Sequence, residues 1–437
     1  MGRIARNLGL LMSGKTAAGL ISLVYIALSA RMLGVTDYGV LNLVHGYATF
    51  MGALIAFSGF HPVVSFGTQA LHEHDLGRLS RLLAFMALLE FGLALIAIIM
   101  TAALAYPIGL ALGWSPDTIA FAPLYSLAIL ATVRATPWGL LQITGRFDLI
   151  AVHQAMMPLV RLAGTLLILA TGGGLQAFLV VWLIASIAEG LSMWAIAWWV
   201  CRTRGIAIIA PGYETVSSAI AENPGILRFL TITNFDQTLR EFAPKAIPLI
   251  IGWVSGAAAA GLYALAVRIG AVLTQPPQLL GQAAYSVIQR QVAAGQIERA
   301  RRTIDRAAGL VLLASAAVAA IMSIGARQII AQVAGPDFLA GAMLLVLILA
   351  ARAVAAATPL WSTALTSLGR PGSSLQINLA CNLLTLPLLP LLLGTAGTEG
   401  AGYHALIQAT CFASMLWFAT RQAITSSIKG GKDAAAC

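Results

Sequence analysis

Apolar stretches long enough to cross a bilayer recur along this whole 437-residue chain, and no other feature restricts its fold so tightly. A hydrocarbon core takes roughly 20 helical residues. Such stretches lie at approximately 8–30, 40–63, 82–105, 119–141, 150–171, 176–200, 228–253, 260–288, 307–326, 338–365, 375–394 and 400–424. Backbone amides inside lipid have to be satisfied within the segment, and these runs lack the short alternation of barrel strands. They therefore read as about twelve transmembrane helices of an all-α integral membrane protein. The chain is 59% hydrophobic and 10% charged, too few charges to coat the two or three soluble domains this length would otherwise suggest.

Lysines and arginines between the spans set an orientation. With the N-terminus inside, 17 of them, from Arg3 and Arg6 through Arg146 and Arg370 to Lys429 and Lys432, fall in the cytoplasm, and only Arg31 and Arg327 fall outside. Both termini are thus expected in the cytoplasm. The net charge of +10 reports this topology and contact with anionic lipid, and needs no nucleic acid to explain it. Arg3, Arg6 and the following apolar run end in "ALSA", Ala27 to Ala30, as a signal peptide would, but many spans follow and the first reads as a retained anchor. Cys201, Cys381, Cys411 and Cys437 lie in spans or on the cytoplasmic side, where disulfides are disfavoured.

The longest polar connection carries Pro211, Gly212, Pro224 and Gly225 as breakers. It divides the chain into a six-helix bundle at 1–200, a cytoplasmic linker at 201–227 and a second six-helix bundle with a short tail at 228–437. Within the linker, 214–222 is either a short interfacial helix or a plain loop. A shift of 222 residues matches Gly34 with Gly256, Gly39 with Gly261, Leu43 with Leu265 and Arg6 with Arg228. Gly145-Arg146 and Gly369-Arg370 then close spans four and ten, each after an intramembrane arginine (Arg134, Arg352) and a Thr-Pro pair (Thr136-Pro137, Thr358-Pro359). Six is even, so the two halves start on the same side and form a parallel repeat, a plan that secondary transporters use. Pro244, Pro248, Pro276-Pro277, Pro387 and Pro390 mark bends, static or moving, in spans seven, eight and eleven.

Seven cations sit within the spans, Lys15, Arg134, Arg161, Arg240, Lys245, Arg268 and Arg352, against four acids, Glu90, Glu189, Asp236 and Glu241. A charge at mid-bilayer costs at least ~2.5 kcal/mol, so these groups should face one another or water. Asp236 with Arg240 and Glu241 with Lys245 are four residues apart on one helix and can neutralise each other. Glu90 and Glu189 serve either structural pairing or ion coupling. Lys15, Arg134, Arg161, Arg268 and Arg352 have no acid at that spacing and, with Arg240, are the candidate cavity cations. The positive excess favours an anionic cargo over a cationic drug.

Other groups carry less. "HEH" at 72–74 lacks the further ligands of a metal site, and no metal is expected. His61, His153 and His404 read as interfacial, Trp114, Trp138, Trp198, Trp199 and Trp253 as an aromatic belt. Asn42, Asn234, Asn378 and Asn382 either bond between helices or line a glycan cavity. "RARRTIDR", 299–306, forms a basic entry to span nine. "GLLMSGKT", Gly9 to Thr16, fits the phosphate-binding loop pattern, yet it begins a membrane helix whose amides are already bonded; a nucleotide loop needs a strand before it and free amides. Lys15, opposite Gln237 under the 222-residue shift, is instead the leading candidate for a cavity cation that meets an anionic cargo. No catalytic set presents itself, and an enzyme is not expected.

The stretch "ARMLGVTDYGVLNL" resembles the bacterial polysaccharide biosynthesis and O-antigen flippase family of the multidrug, oligosaccharidyl-lipid and polysaccharide exporter superfamily. Ala30, Arg31, Leu33 and Gly34 match its first-helix ending, Tyr38 and Gly39 its turn into helix two. The resemblance implies two six-helix bundles forming a V that opens alternately to each side. It implies a polyprenyl-pyrophosphate-linked oligosaccharide as cargo, turned over to the periplasmic leaflet for surface polysaccharide assembly, with membrane lipids and the assembly machinery as partners. No cofactor is expected, a monomer suffices, and coupling to H+ or Na+ is left open. A cation-coupled multidrug antiporter of the same superfamily, and a membrane-embedded polymerase or acyltransferase, are the alternatives; the charge excess speaks against the first and the short outside loops against the second.

Overall fold

The computed structural model describes the backbone of residues 2–55 and 57–436 and the side chains of 14–55, 57–281, 284–285, 287–370 and 372–428. Arg3, Arg6, Lys429, Lys432 and Cys437, used in the topology and cysteine readings, lie outside the described side chains. Every regular element among the described residues is helical. The first part of the chain runs α1 (Gly2–Ile55), α2 (Phe60–His72), α3 (Leu76–Ala111), α4 (Pro116–Tyr125), a 3-10 turn at Ser126–Thr132, α5 (Ala135–Ile143), α6 (Phe147–Gln154), α7 (Met156–Thr171), α8 (Leu175–Arg204) and α9 (Tyr213–Glu222). It continues with α10 (Ile226–Gly270), α11 (Gln275–Ala293), α12 (Ile297–Ile324), α13 (Ala326–Val333), α14 (Ala342–Ala355), α15 (Thr358–Ser367), α16 (Pro371–Thr385), α17 (Leu388–Ala396) and α18 (Glu399–Ala436).

Eight helical stretches among the described residues are long and apolar enough to cross a membrane, and a pair bent by 43°, Gly372–Thr385 with Leu388–Ala396, makes a ninth. Two of the eight, Gly14–Ile55 and Ile226–Leu273, are 42 and 48 residues long, twice the need of one crossing. Each is kinked at a glycine in a non-helical conformation, Gly34 (φ 69, ψ 179) and Gly256 (φ 83, ψ 174). A side chain at that φ would meet the backbone, so glycine is what lets the chain turn there. Divided at these kinks, the nine stretches make eleven candidate crossings among the described residues, and the 38-residue α18 brings the number to the twelve expected. Leu95, Ile99, Leu167, Leu313 and Leu391 all stand more than half exposed, which lipid tolerates and water does not.

The repeat is written in the backbone more clearly than in residue identity. Positive φ occurs at residues 34, 74, 113, 145 and 172 and again at 256, 295, 335, 369 and 397, separations of 221 to 225 residues. Only His74 in that set is not glycine. Spans four and ten are both broken before their Thr-Pro pairs, with the 3-10 segment placed differently. Span four runs α4, the 3-10 turn and α5; span ten runs a 3-10 turn at Pro336–Gly341, then α14 and α15.

Two compact units emerge, Met1–Leu249 and Ile250–Cys437. In the first, Ala219, Ile226 and Leu230 pack with Val63, Leu82, Phe85 and Met86, so 213–222 is a helix held on α2 and α3. The second has its own core, in which Leu360, Trp361 and Leu365 meet Ile304, Val311 and Leu416. Several residues expected at the membrane interface lie inside instead. His153 and His404 are buried, His153 against the Glu189 carbonyl at 2.9 Å and His404 against the Thr385 carbonyl at 3.1 Å. Trp114 is buried edge-on to Tyr47, whereas Trp198, Trp199 and Trp253 are exposed as a belt requires. An imidazole or indole with one bonded edge and one apolar face fits either place, and packing alone decides.

One close approach positions the interior of the first unit. α8 crosses the 3-10 turn at Gly190, where a Cβ would fall on the Leu130 carbonyl. Backbone cannot rotate away as a side chain can, so Gly190→Ala is expected to destabilise by at least about 2 kcal/mol, the upper range for overpacking. Thermal unfolding of the detergent-solubilised protein measures the loss. Gly92→Ala, where a Cβ meets nothing within 4 Å, should change little and serves as the control.

Candidate functional site

Span four breaks at Val133 and Arg134, where the backbone leaves helical geometry before α5 begins. Pro137 in the first turn of α5 has no N–H, and the amides of Ala135 and Thr136 lack helical acceptors. Glu90 of α3, fully buried, supplies them: one carboxylate oxygen accepts from Ala135 N at 2.6 Å and the other from Thr136 N at 2.9 Å. The negative charge also sits at the positive end of the helix. Trp194 of α8 donates to the Val133 carbonyl at 2.7 Å and holds the other side of the break.

The break turns Arg134 outward into a cavity of about 430 Å³ within the first unit. Glu189, brought up by the contact at Gly190, forms an ion pair with its guanidinium. Arg134 has no acid on its own helix, yet it is not free, because its partner arrives from α8. It also lies 5.9 Å from the ring centroid of Trp138, which lines the cavity rather than an interfacial belt. Opposite stand Asn234, Gln237, Thr238, Glu241 and Lys245 of α10, with Gly52, Ser58 and Phe60 completing the wall. The five α10 positions recur at three- and four-residue steps and make one polar stripe along the helix. Asn234 fixes the stripe at one end, accepting from Ser58 N at 2.7 Å. At the other, Lys245 lies 3.5 Å from Glu241 and donates to the Thr49 carbonyl at 3.3 Å.

The remaining expected cations are elsewhere. Lys15 is exposed on α1 and does not line this cavity. Arg240 points away from it, 2.9 Å from Asp236, the pairing its spacing implies. Arg161 is buried between Tyr25, His45 and Trp182, with Nη2 3.1 Å from His45 Nε2 and the guanidinium 5.0 Å from the indole centroid. Arg268 is exposed, and Arg352 is half-buried beside Gly270; both belong to the second unit. Sequence reading names Arg134, Asn234, Glu241 and Lys245, all in this wall, but gives no such place to Gln237 and Thr238 and does not join the α10 positions into one stripe. The signal is present as polar residues at helical spacing inside an apolar span.

The Arg134–Glu189 pair is open to test by a double-mutant cycle. Side-chain exposures of 35% and 11% place the pair short of full burial. Breaking a fully buried pair costs about 3–5 kcal/mol, and discounted for this exposure Arg134→Met or Glu189→Met alone should lose about 2–3 kcal/mol. The double variant should recover most of that loss. Additive losses would show that the two side chains do not interact.

Residues 4–291 match the family model described as polysaccharide biosynthesis protein, and residues 232–391 match the MatE model. The inner membrane protein YghQ of Escherichia coli (strain K12) is 27% identical over 288 residues, covering 66% of this chain and 80% of that protein. Among solved structures, an inward-facing multidrug resistance MATE family transporter of the MOP superfamily aligns with a TM-score of 0.70 at 15% identity, over 96% of each chain. The lipid II flippase MurJ in an inward closed conformation aligns with a TM-score of 0.68 at 14% identity, over 96% of this chain and 89% of that one. The fold is that of MOP-superfamily transporters, and the chain is a multi-pass inner membrane protein. Its first family match spans more than half of its length, so the chain belongs to the polysaccharide biosynthesis protein family.

Proposed function

We propose that this transporter flips a polyprenyl-pyrophosphate-linked oligosaccharide from the cytoplasmic to the periplasmic leaflet for surface polysaccharide assembly. A single chain works by alternating access of its two six-helix halves, with both termini in the cytoplasm. What supports the cargo is the wall of the 430 Å³ cavity: Arg134, paired with Glu189, and Lys245, paired with Glu241, stand among amides, hydroxyls and an indole. Cations suit a pyrophosphate, amides and hydroxyls suit sugar hydroxyls, and an indole face suits a sugar ring. The volume falls within the ordinary range for small-ligand sites, enough for the polar junction of such a cargo while the polyprenyl tail stays in the bilayer. A close phosphate–ammonium contact contributes up to ~4 kcal/mol at an effective dielectric of 20. The chain's other acids leave either H+ or Na+ as a coupling ion.

Reconstituted protein given a fluorescent polyprenyl-pyrophosphate disaccharide tests the reading. Lys245→Gln should slow flipping at least about tenfold, well within that electrostatic ceiling, while Arg240→Gln, outside the cavity, should stay within about twofold. Transport of a lipophilic cationic drug in place of the labelled lipid, enhanced by Lys245→Gln, would establish the multidrug antiporter instead.

A further inference from the structure

The chain ends two helices with the same corner. After α5, Gly145 N donates to the Gln142 carbonyl at 3.1 Å and Arg146 N to the Leu141 carbonyl at 2.9 Å. After α15, Gly369 N donates to the Thr366 carbonyl at 3.1 Å and Arg370 N to the Leu365 carbonyl at 2.9 Å. Both glycines have positive φ, 72° and 78°. The backbones are alike, but the charges around them are not.

The first corner is closed on itself. Asp148 takes the Arg146 guanidinium on two edges, at 3.0 Å to Nε and 2.8 Å to Nη2, and the guanidinium stacks 5.1 Å from the centroid of Trp199. In the second corner the residue two beyond the arginine is Gly372, and the first turn of α16 carries no acid. Arg370 donates to Ser426 Oγ at 3.3 Å and has no carboxylate partner among the described residues. α18 adds a second cation, Arg421, which shares Asp305 at 3.1 Å and lies 5.6 Å from the centroid of Trp417. Between the arginines opens a cavity of about 510 Å³, lined by Arg370, Phe418, Arg421, Gln422, Thr425 and Ser426. Its lining includes no carboxylate. About one turn back along α18, Trp417 and Phe418 are 46% and 58% exposed, which leaves apolar surface directly beside the basic groups.

We propose that this corner of the second unit binds the phosphate of an anionic phospholipid, held by Arg370 and Arg421. Two planar guanidinium forks match phosphate oxygens in paired hydrogen bonds, and the Ser426 and Thr425 hydroxyls with the Gln422 amide meet the remaining headgroup oxygens. Acyl chains lie on Phe418 and Trp417, a contact that a soluble phosphate has no use for. The first half has no such site because Asp148 already occupies the place of the lipid phosphate on Arg146. The site shares no residue with the cavity in the first unit, and no step of it depends on the cargo.

Position 372 provides a clean test, because a Cβ there meets nothing within 4 Å. Gly372→Asp installs the acid of the first corner. Native mass spectrometry of the full-length protein, titrated with phosphatidylglycerol, phosphatidylcholine or inorganic phosphate, reads the outcome. Wild type should hold one phosphatidylglycerol in preference to phosphatidylcholine, and Gly372→Asp and Arg370→Gln should each weaken it by about fivefold, the effect of one basic residue at a membrane surface. Gly372→Asn, equal in size and uncharged, should keep wild-type affinity. Unchanged phosphatidylglycerol affinity in Gly372→Asp, equal retention of phosphatidylcholine, or displacement of the lipid by inorganic phosphate would each overturn the proposal.

Discussion

Two backbone amides in the middle of a membrane helix hold the interior of the first unit to its shape. Where span four breaks, Ala135 and Thr136 lose their helical acceptors, and an unbonded buried amide costs about 1–3 kcal/mol. Glu90 satisfies both. That bond fixes where α5 begins, hence where Arg134 stands, hence which side chains it meets. Glu189 reaches Arg134 because α8 touches the same broken span at Gly190. A continuous helix would need neither acid, and its arginine would have to find another partner. The carboxylates are therefore structural first, and the cavity is laid out by the break they stabilise.

The repeat gives a second view of the same constraint. Kinks at Gly34 and Gly256, and corners at Gly145 and Gly369, recur because the backbone path is duplicated while side chains have diverged. Divergence is most telling where geometry is held constant. Asp148 and Gly372 occupy matching corners, and one closes a basic group that the other leaves open. Likewise Arg134, two residues before one Thr-Pro pair, lines a cavity in the first unit, while Arg352, six residues before the other, sits beside Gly270 in the second.

Length and hydropathy alone carry the class of fold, since lipid leaves the backbone few choices. The within-helix pairs Asp236–Arg240 and Glu241–Lys245 are equally readable, because a four-residue spacing is local. Long-range placement is not. Lys15 reads as a cavity cation from its depth in span one, yet it is exposed on α1 away from the cavity wall. His153 and His404 lie near predicted span ends and are nonetheless buried against carbonyls of neighbouring segments.

What the sequence determined by itself is whatever the bilayer enforces or a single helix contains: helical crossings, a duplicated path marked by glycines, and charge pairs one turn apart. Only the tertiary structure decided which side chains from distant helices share a space. Arg134 and Glu189 are 55 residues apart in sequence, and Asn234 meets Ser58 across 176 residues. Such meetings depend on the angle at a broken helix and the closeness of two backbones at a glycine. Neither leaves a periodic trace in the chain, because both are set by packing between segments rather than by the spacing of residues along one.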